Sequence, residues 1–243
     1  MKILIIRHAE PDYSKDSLTE KGFKEAECLA DRLMNIHIDE IYCSPLGRAR
    51  ATIEPYIDKI GKEMRICPWL HEFEGKKICD DVTESIPWDQ MPDEISDIKG
   101  KLSYENWTQF EPYSTGNVRE RYNYVISEFE TLMGEYGYIR KNGMYIAKNN
   151  EKKTIAFICH FGLGAMLASH IVNIPAPLMW QGFFLAPSSV TSFVTEERKK
   201  GIVSFRCEYM GDISHLYRFD EKMSHSGLYH EVYNEAAITG AQV

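Results

Sequence analysis

The sequence predicts an α/β fold built on a parallel sheet covered on both faces. Two apolar runs rich in β-branched residues, residues 3–6 and Thr154–Cys159 (TIAFIC), show no polar alternation, which suits strands buried on both sides. Between them the pattern runs strand, helix, strand, helix, strand, the order that parallel crossover units produce.

Each element has its own local reason. Residues 18–34 put Phe23, Ala26, Ala30 and Leu33 at helical spacing, with Thr19 as N-cap and Glu20 in the first turn, so an amphipathic helix should lie on the sheet. Residues 40–43 read as a short strand, 46–60 as a helix interrupted late by Pro55, and 64–67 as another short strand. After the second long strand, residues 162–172 have the small and apolar make-up of a helix packed closely on a sheet, followed by loop prolines 175 and 177. Two later strands are expected at 189–195 and 202–209, joined by a charged turn at 196–201.

The middle of the chain, about 74–150, is less periodic and crowded with Trp88, Tyr104, Trp107, Phe110 and Tyr113. It reads as an insertion in a single domain spanning 1–243. It holds a helix at 118–136 and a hairpin turning at Asn142-Gly143 between 138–140 and 144–147. As a lid it would shape a substrate pocket; as an extra packing layer it would only enlarge the core.

With 243 residues, 44% hydrophobic and 26% charged, the chain fills one core with ordinary solubility. A net charge of −8 opposes a phosphate-backbone footprint, so nucleic acid is not an expected partner. No secretory signal pattern is seen, and no apolar run approaches the ~20 residues a membrane span needs, so the expected location is cytoplasmic. Six cysteines at 28, 43, 67, 79, 159 and 207 have neither CxxC nor other compact spacing, pointing to reduced thiols without a zinc site.

His8 and His160 each follow a strand directly, where the loops and helix N-termini of such sheets collect ligands. Arg7 stands beside the first, and HFGLG after the second opens a helix whose free N–H groups suit an anion. On this evidence alone a functional pair and two satisfied structural histidines are both open.

RHAE after the first strand, LTEKG, CSPLGRARAT, LHEF, CHFG after the late strand, then APSSVTSF and GDISHL, occur in an order that resembles the histidine phosphatase superfamily, the phosphoglycerate-mutase-like proteins. The resemblance covers most of the chain outside the central segment. It implies a three-layer αβα sandwich with a mainly parallel central sheet, and a phosphatase acting on a small phosphomonoester. In that reading His8 is the nucleophile that takes the phosphoryl group, and Arg7, Arg48 and His160 surround its oxygens. Glu72 protonates the leaving group, with Glu74 as its rival, and Ser14 and Phe161 line the substrate. The activity implied is that of a metal-independent, histidine acid-type phosphomonoesterase with no cofactor.

The chemistry agrees with these assignments. Neutral imidazole is a competent nucleophile, guanidinium forks match phosphoryl oxygens, and a protonated His160 would be a third cationic donor. The sequence departs from the usual pattern at three places, Pro11 after the RHAE glutamate, Glu25 where glutamine is frequent, and Phe161 after His160 where glycine is usual, of which Pro11 and Phe161 bear on substrate choice. A cysteine phosphatase loop is excluded by spacing, because four residues separate Cys43 from Arg48 instead of five. HxH and HxxxH spacings with nearby carboxylates are missing, which disfavours a metal hydrolase. A cofactor-dependent mutase and a non-catalytic phospho-ligand module remain the alternatives.

Overall fold

The computed structural model describes residues 1–74, 77–79, 83–148 and 152–229. The remainder of the central segment expected at 74–150 lies outside the described residues, as does the end of the chain from residue 230.

The fold is a three-layer α/β sandwich. The eight strands of the central sheet are β1 (Lys2–Arg7), β2 (Glu40–Cys43), β3 (Arg65–Ile66), β4 (Tyr138–Lys141), β5 (Met144–Ala147), β6 (Thr154–Cys159), β7 (Val190–Lys199) and β8 (Ile202–Asp212). Their spatial order is β3-β2-β6-β1-β7-β8-β5-β4. The half from β3 to β1 is parallel, whereas every pairing from β1 outward to β4 is antiparallel, so the sheet is mixed.

Alternation along the strands divides the core in two. Leu4, Ile6, Ala156 and Ile158 face helices α1 (Glu20–Leu33) and α2 (Gly47–Ile60). Ile3, Ile5, Ile155 and Phe157 face α3 (Val118–Glu135), α4 (Phe161–Val172) and α5 (Ala176–Gly182). Full burial of such side chains contributes roughly 1.5–3 kcal/mol each, which is why both faces of β1 and β6 are apolar. A last short helix, α6 (Ser214–Arg218), leans on α1.

Several expectations shift at the level of single elements. Thr19 caps α1 by accepting the Gly22 N–H at 3.0 Å, but Phe23 faces outward and Leu29 takes its place in the core. Helix α2 continues through Pro55, which lies beyond the first turn and costs one backbone bond without ending the helix. Prolines 175 and 177 open α5 instead of lying in a loop, since their fixed φ and missing N–H suit a helix start. The charged stretch 196–199 stays in β7, where Arg206 on β8 pairs with Glu196 at 3.0 Å, and the turn shrinks to Lys200-Gly201. The hairpin at Asn142-Gly143 forms with both residues at positive φ, 50° and 74°.

The aromatic residues of the central segment divide between two roles. Trp107 and Tyr113 are fully buried against Trp180 of α5, while Trp88 lies against Phe161 at the start of α4. Helix α3 and the β4–β5 hairpin from the same segment join the main core and sheet. Cys28, Cys43, Cys67, Cys159 and Cys207 are free thiols. Among the described residues no helix is long and apolar enough to cross a membrane.

Candidate active site

Strands β2, β6 and β1 are neighbours, and their register carries three successive residues to one edge of the sheet. Arg7 pairs with Cys159 and Ile158 with Cys43, so Ser44, His160 and His8 each stand one residue beyond the ladder, in that spatial order. The backbone continues the ladder there: His8 N–H donates to the Cys159 carbonyl and Ser44 N–H to that of Ile158, both at 2.9 Å. The His8 and His160 rings are 5.1 Å apart between centroids.

His8 donates Nδ1–H to the Ala9 carbonyl at 2.7 Å, which leaves the Nε2 lone pair free. Burial, then the adjacent Arg7 charge, hold its pKa well below the ordinary histidine value, so the ring is neutral at pH 7. His160 is likewise held neutral, first by burial and then by His8, Arg48, His71 and Arg7. The third cationic donor expected there is therefore a neutral imidazole. Its Nε2 lies 2.7 Å from Ser44 Oγ, and its Nδ1 is buried without a protein partner.

Arg7 extends between the rings of Phe161 and Phe184, 5.5 and 5.6 Å from their centroids. Its terminal nitrogens donate to the carbonyls of Leu185 at 2.7 Å and Ser226 at 3.1 Å, and its buried Nε has no partner. Arg48, in the first turn of α2, is fixed by Asp16, whose Oδ1 accepts from the guanidinium at 2.8 Å while Oδ2 accepts from Gly47 N–H at 2.6 Å. The Arg48 Nε is also buried and unpartnered. Two guanidinium groups, Arg7 and Arg48, whose charges both act on one neutral imidazole, form a site suited to an anion with several acceptor oxygens.

Glu72 reaches the start of α4. Its Oε1 accepts from Leu163 N–H at 2.8 Å and Phe73 N–H at 2.7 Å, and its Oε2 from Gly162 N–H at 3.2 Å. Glu74 is exposed and pairs with His71 at 3.3 Å, so of the two carboxylates only Glu72 is held against the His160 helix. Ser14 is not brought to the crevice: its hydroxyl donates to Asp12 at 2.6 Å on the surface, and Tyr13 instead covers Arg48. Phe161 is at the site, packed on Arg7 and edge-on to Trp88.

Sequence patterns do not single out Asp16, Ser44 or Phe184, and they mark Trp88 only as one of the aromatics of the central segment. Ser44 belongs to the SPLGR stretch and was within reach of that signal, whereas Asp16 and Trp88 arrive through long-range folding that no local pattern encodes.

Glu25, the α1 residue noted as a departure, accepts the Glu10 N–H at 2.8 Å beneath the RHAE loop. Burial pushes its carboxyl up to about 7 from 4.5, against the partial relief of Lys21 3.6 Å away. Because the folded value lies above the unfolded one, the stability it allows is full below about pH 4.5 and is lost as the pH rises through about 7. Glu25→Gln keeps the acceptor without the charge. Its stability relative to wild type should rise by about 2 to 3 kcal/mol between pH 5 and pH 9. Urea unfolding at the two pH values checks this, and a pH-independent difference would refute it.

A profile of the histidine phosphatase superfamily (branch 1) matches residues 3–208. A probable phosphatase of Schizosaccharomyces pombe is 39% identical over 67 residues, 24% of this chain and 32% of its own length. Phosphoserine phosphatase 1 of Hydrogenobacter thermophilus is 30% identical over 102 residues, 37% of this chain and 48% of its own. The aligned segments thus span at most about half of these curated relatives. Similar structures include a phosphoserine phosphatase mutant from Entamoeba histolytica in complex with phosphoserine, with TM-score 0.58, 20% identity, and coverage of 88% of this chain and 98% of that one. A mycobacterial glucosyl-3-phosphoglycerate phosphatase with inorganic phosphate aligns at TM-score 0.56 and 18% identity, again over 88% and 98%. The α-ribazole phosphatase of Shigella flexneri aligns at 0.53 and 18%, over 88% and 97%. These structural matches bear on the fold. With the profile matching most of its length, the chain belongs to the histidine phosphatase superfamily, branch 1.

Proposed function

We propose that this protein hydrolyses a small phosphomonoester through a phosphohistidine intermediate on His8. The observation that carries the reading is the neutral His8 ring with Nε2 free, 5.1 Å from the His160 ring, its pKa held down by burial and by the nearby charges of Arg7 and Arg48.

In the first step His8 Nε2 bonds to phosphorus as the bond from phosphorus to the ester oxygen breaks, and the departing oxygen takes a proton from Glu72. In the second, water adds to phosphorus, gives its proton to Glu72 and releases His8 and inorganic phosphate. Arg7 and Arg48 offset charge on the transferring oxygens, and His160 donates Nδ1–H to one of them. Phosphate monoester hydrolysis requires accelerations up to about 10²¹, beyond what any single donor supplies, so the converging set is chemically required. A crevice lined by guanidinium and imidazole N–H repels a metal cation, which favours a metal-independent reaction.

Of the central segment expected to form a lid at about 74–150, the part around Trp88 acts as the cover, while Trp107 and Tyr113 belong to the core. Trp88 packs on Gly162, where an added Cβ would fall 2.2 Å from the indole, and the next residue, Asp89, accepts from Tyr229 at 2.5 Å. The phosphoserine bound in the Entamoeba structure and the names of the glucosyl-3-phosphoglycerate and α-ribazole phosphatases direct the choice of test ligands toward phosphoserine, glucosyl-3-phosphoglycerate and α-ribazole phosphate.

Wild-type enzyme mixed with a ³²P-labelled member of that panel and quenched in alkali, where phosphoimidazole survives, should carry label on the His8 peptide. Turnover without label on His8 would overturn the mechanism. Failure to turn over any phosphomonoester would restore the mutase or the binding module.

A further inference from the structure

Ser44 occupies a position that the phosphohistidine reading leaves unused. It is fully buried and stands at the end of β2, on the far side of His160 from His8. Its Oγ accepts the Leu46 N–H at 3.3 Å and lies 2.7 Å from His160 Nε2.

A neutral imidazole has a single N–H, and which nitrogen holds it decides what the ring can do. With the proton on Nε2, Ser44 would accept both this N–H and that of Leu46, its own hydroxyl proton would have no acceptor, and His160 would turn a lone pair on Nδ1 toward phosphoryl oxygens. With the proton on Nδ1, the Ser44 O–H donates to Nε2, its lone pair accepts Leu46 N–H, and Nδ1–H is left as the donor at the crevice. The first arrangement leaves the buried Ser44 hydroxyl proton without an acceptor, whereas the second satisfies Ser44 and Leu46 and leaves one N–H, on Nδ1, for an anion to accept.

We infer that Ser44 is a positioning residue that holds His160 in the Nδ1–H tautomer, so that an uncharged histidine donates to the transferring phosphoryl group. The inference rests on the phosphoryl-transfer reading for its role in the reaction, but the tautomer itself does not depend on it. Ser44 also ties the start of α2, which carries Arg48, to the ring at the start of α4, so two donors from separate helices share one hydroxyl as reference. A preorganised donor is worth most where charge develops, so disordering the tautomer should lower kcat more than it raises KM.

The test uses the full chain labelled with ¹⁵N-histidine. Long-range ¹H–¹⁵N correlations should show His160 protonated on Nδ1 in the wild type, and a shift of the proton toward Nε2 in Ser44→Ala. Kinetics on the same samples should give kcat reduced about 100-fold in Ser44→Ala with KM within a few-fold of wild type. A wild-type His160 protonated on Nε2 overturns the inference even if Ser44→Ala fails to fold. An unchanged tautomer or unchanged kcat in a folded Ser44→Ala overturns it as well. Failure of the phosphohistidine reading would be separate, visible as absence of label on His8 while the tautomer stands.

Discussion

His8→Ala should lower kcat by a factor on the order of 10⁴ to 10⁶ while leaving KM within a few-fold of wild type, because the residue supplies bond formation and its neighbours supply binding. The groups that would hold the phosphoryl oxygens, Arg7, Arg48 and His160, are each anchored by partners other than His8: Leu185 and Ser226, Asp16, and Ser44. Removing the ring therefore leaves the anion site assembled. It also removes a buried, desolvated group whose one hydrogen bond goes to the adjacent Ala9 carbonyl, so the melting temperature should move by only a few degrees. Steady-state kinetics beside a thermal scan separates loss of chemistry from loss of fold. A folded His8→Ala enzyme with more than a hundredth of wild-type kcat would show that another group attacks phosphorus.

The parts of the fold that local pattern determines were legible in the sequence, and those set by distant partners were not. β1 and β6 could be read because a strand covered on both faces must be apolar throughout, and the order of elements around them follows from parallel crossovers. That these strands are immediate neighbours, which puts His8 beside His160, is a fact of sheet order and has no signature along the chain. The charged end of β7 was misread as a turn for a related reason: the β7–β8 ribbon is increasingly exposed toward its tip, where cross-strand ion pairs replace burial as the source of pairing. At the site, the fold brings Arg7, Arg48, Glu72 and Phe161 together near the two histidines. Ser14 is not among them, since Asp12 engages its hydroxyl within a surface turn, a competition that residue identity alone does not reveal.

Gly47→Ala should cost about 2 to 4 kcal/mol of stability and at least about 100-fold in kcat/KM, although the residue bears no functional group. Gly47 is helical and needs no unusual φ; what it needs is space. A Cβ there would fall 2.1 Å from the backbone carbonyl oxygen of Asp16, and a backbone atom cannot swing away as a side-chain tip can. The loop carrying Asp16 must retreat from α2, and two bonds go with it: the Gly47 N–H to Asp16 Oδ2 that caps a helix whose N-cap, Leu46, has no side-chain acceptor, and the Asp16 to Arg48 ion pair. Losing a cap costs about 1 kcal/mol and overpacking another 1 to 3, while an untethered Arg48 must be reordered each time it binds a phosphoryl oxygen. Asp16→Asn is the informative partner variant. It keeps the volume and one acceptor for the helix end but loses the carboxylate charge that pairs with Arg48, so it should retain most of the stability and lose activity. If Gly47→Ala has wild-type unfolding stability and wild-type turnover, the close approach of the Asp16 loop is not what fixes Arg48, and the guanidinium must be held by the Tyr13 ring or by the substrate.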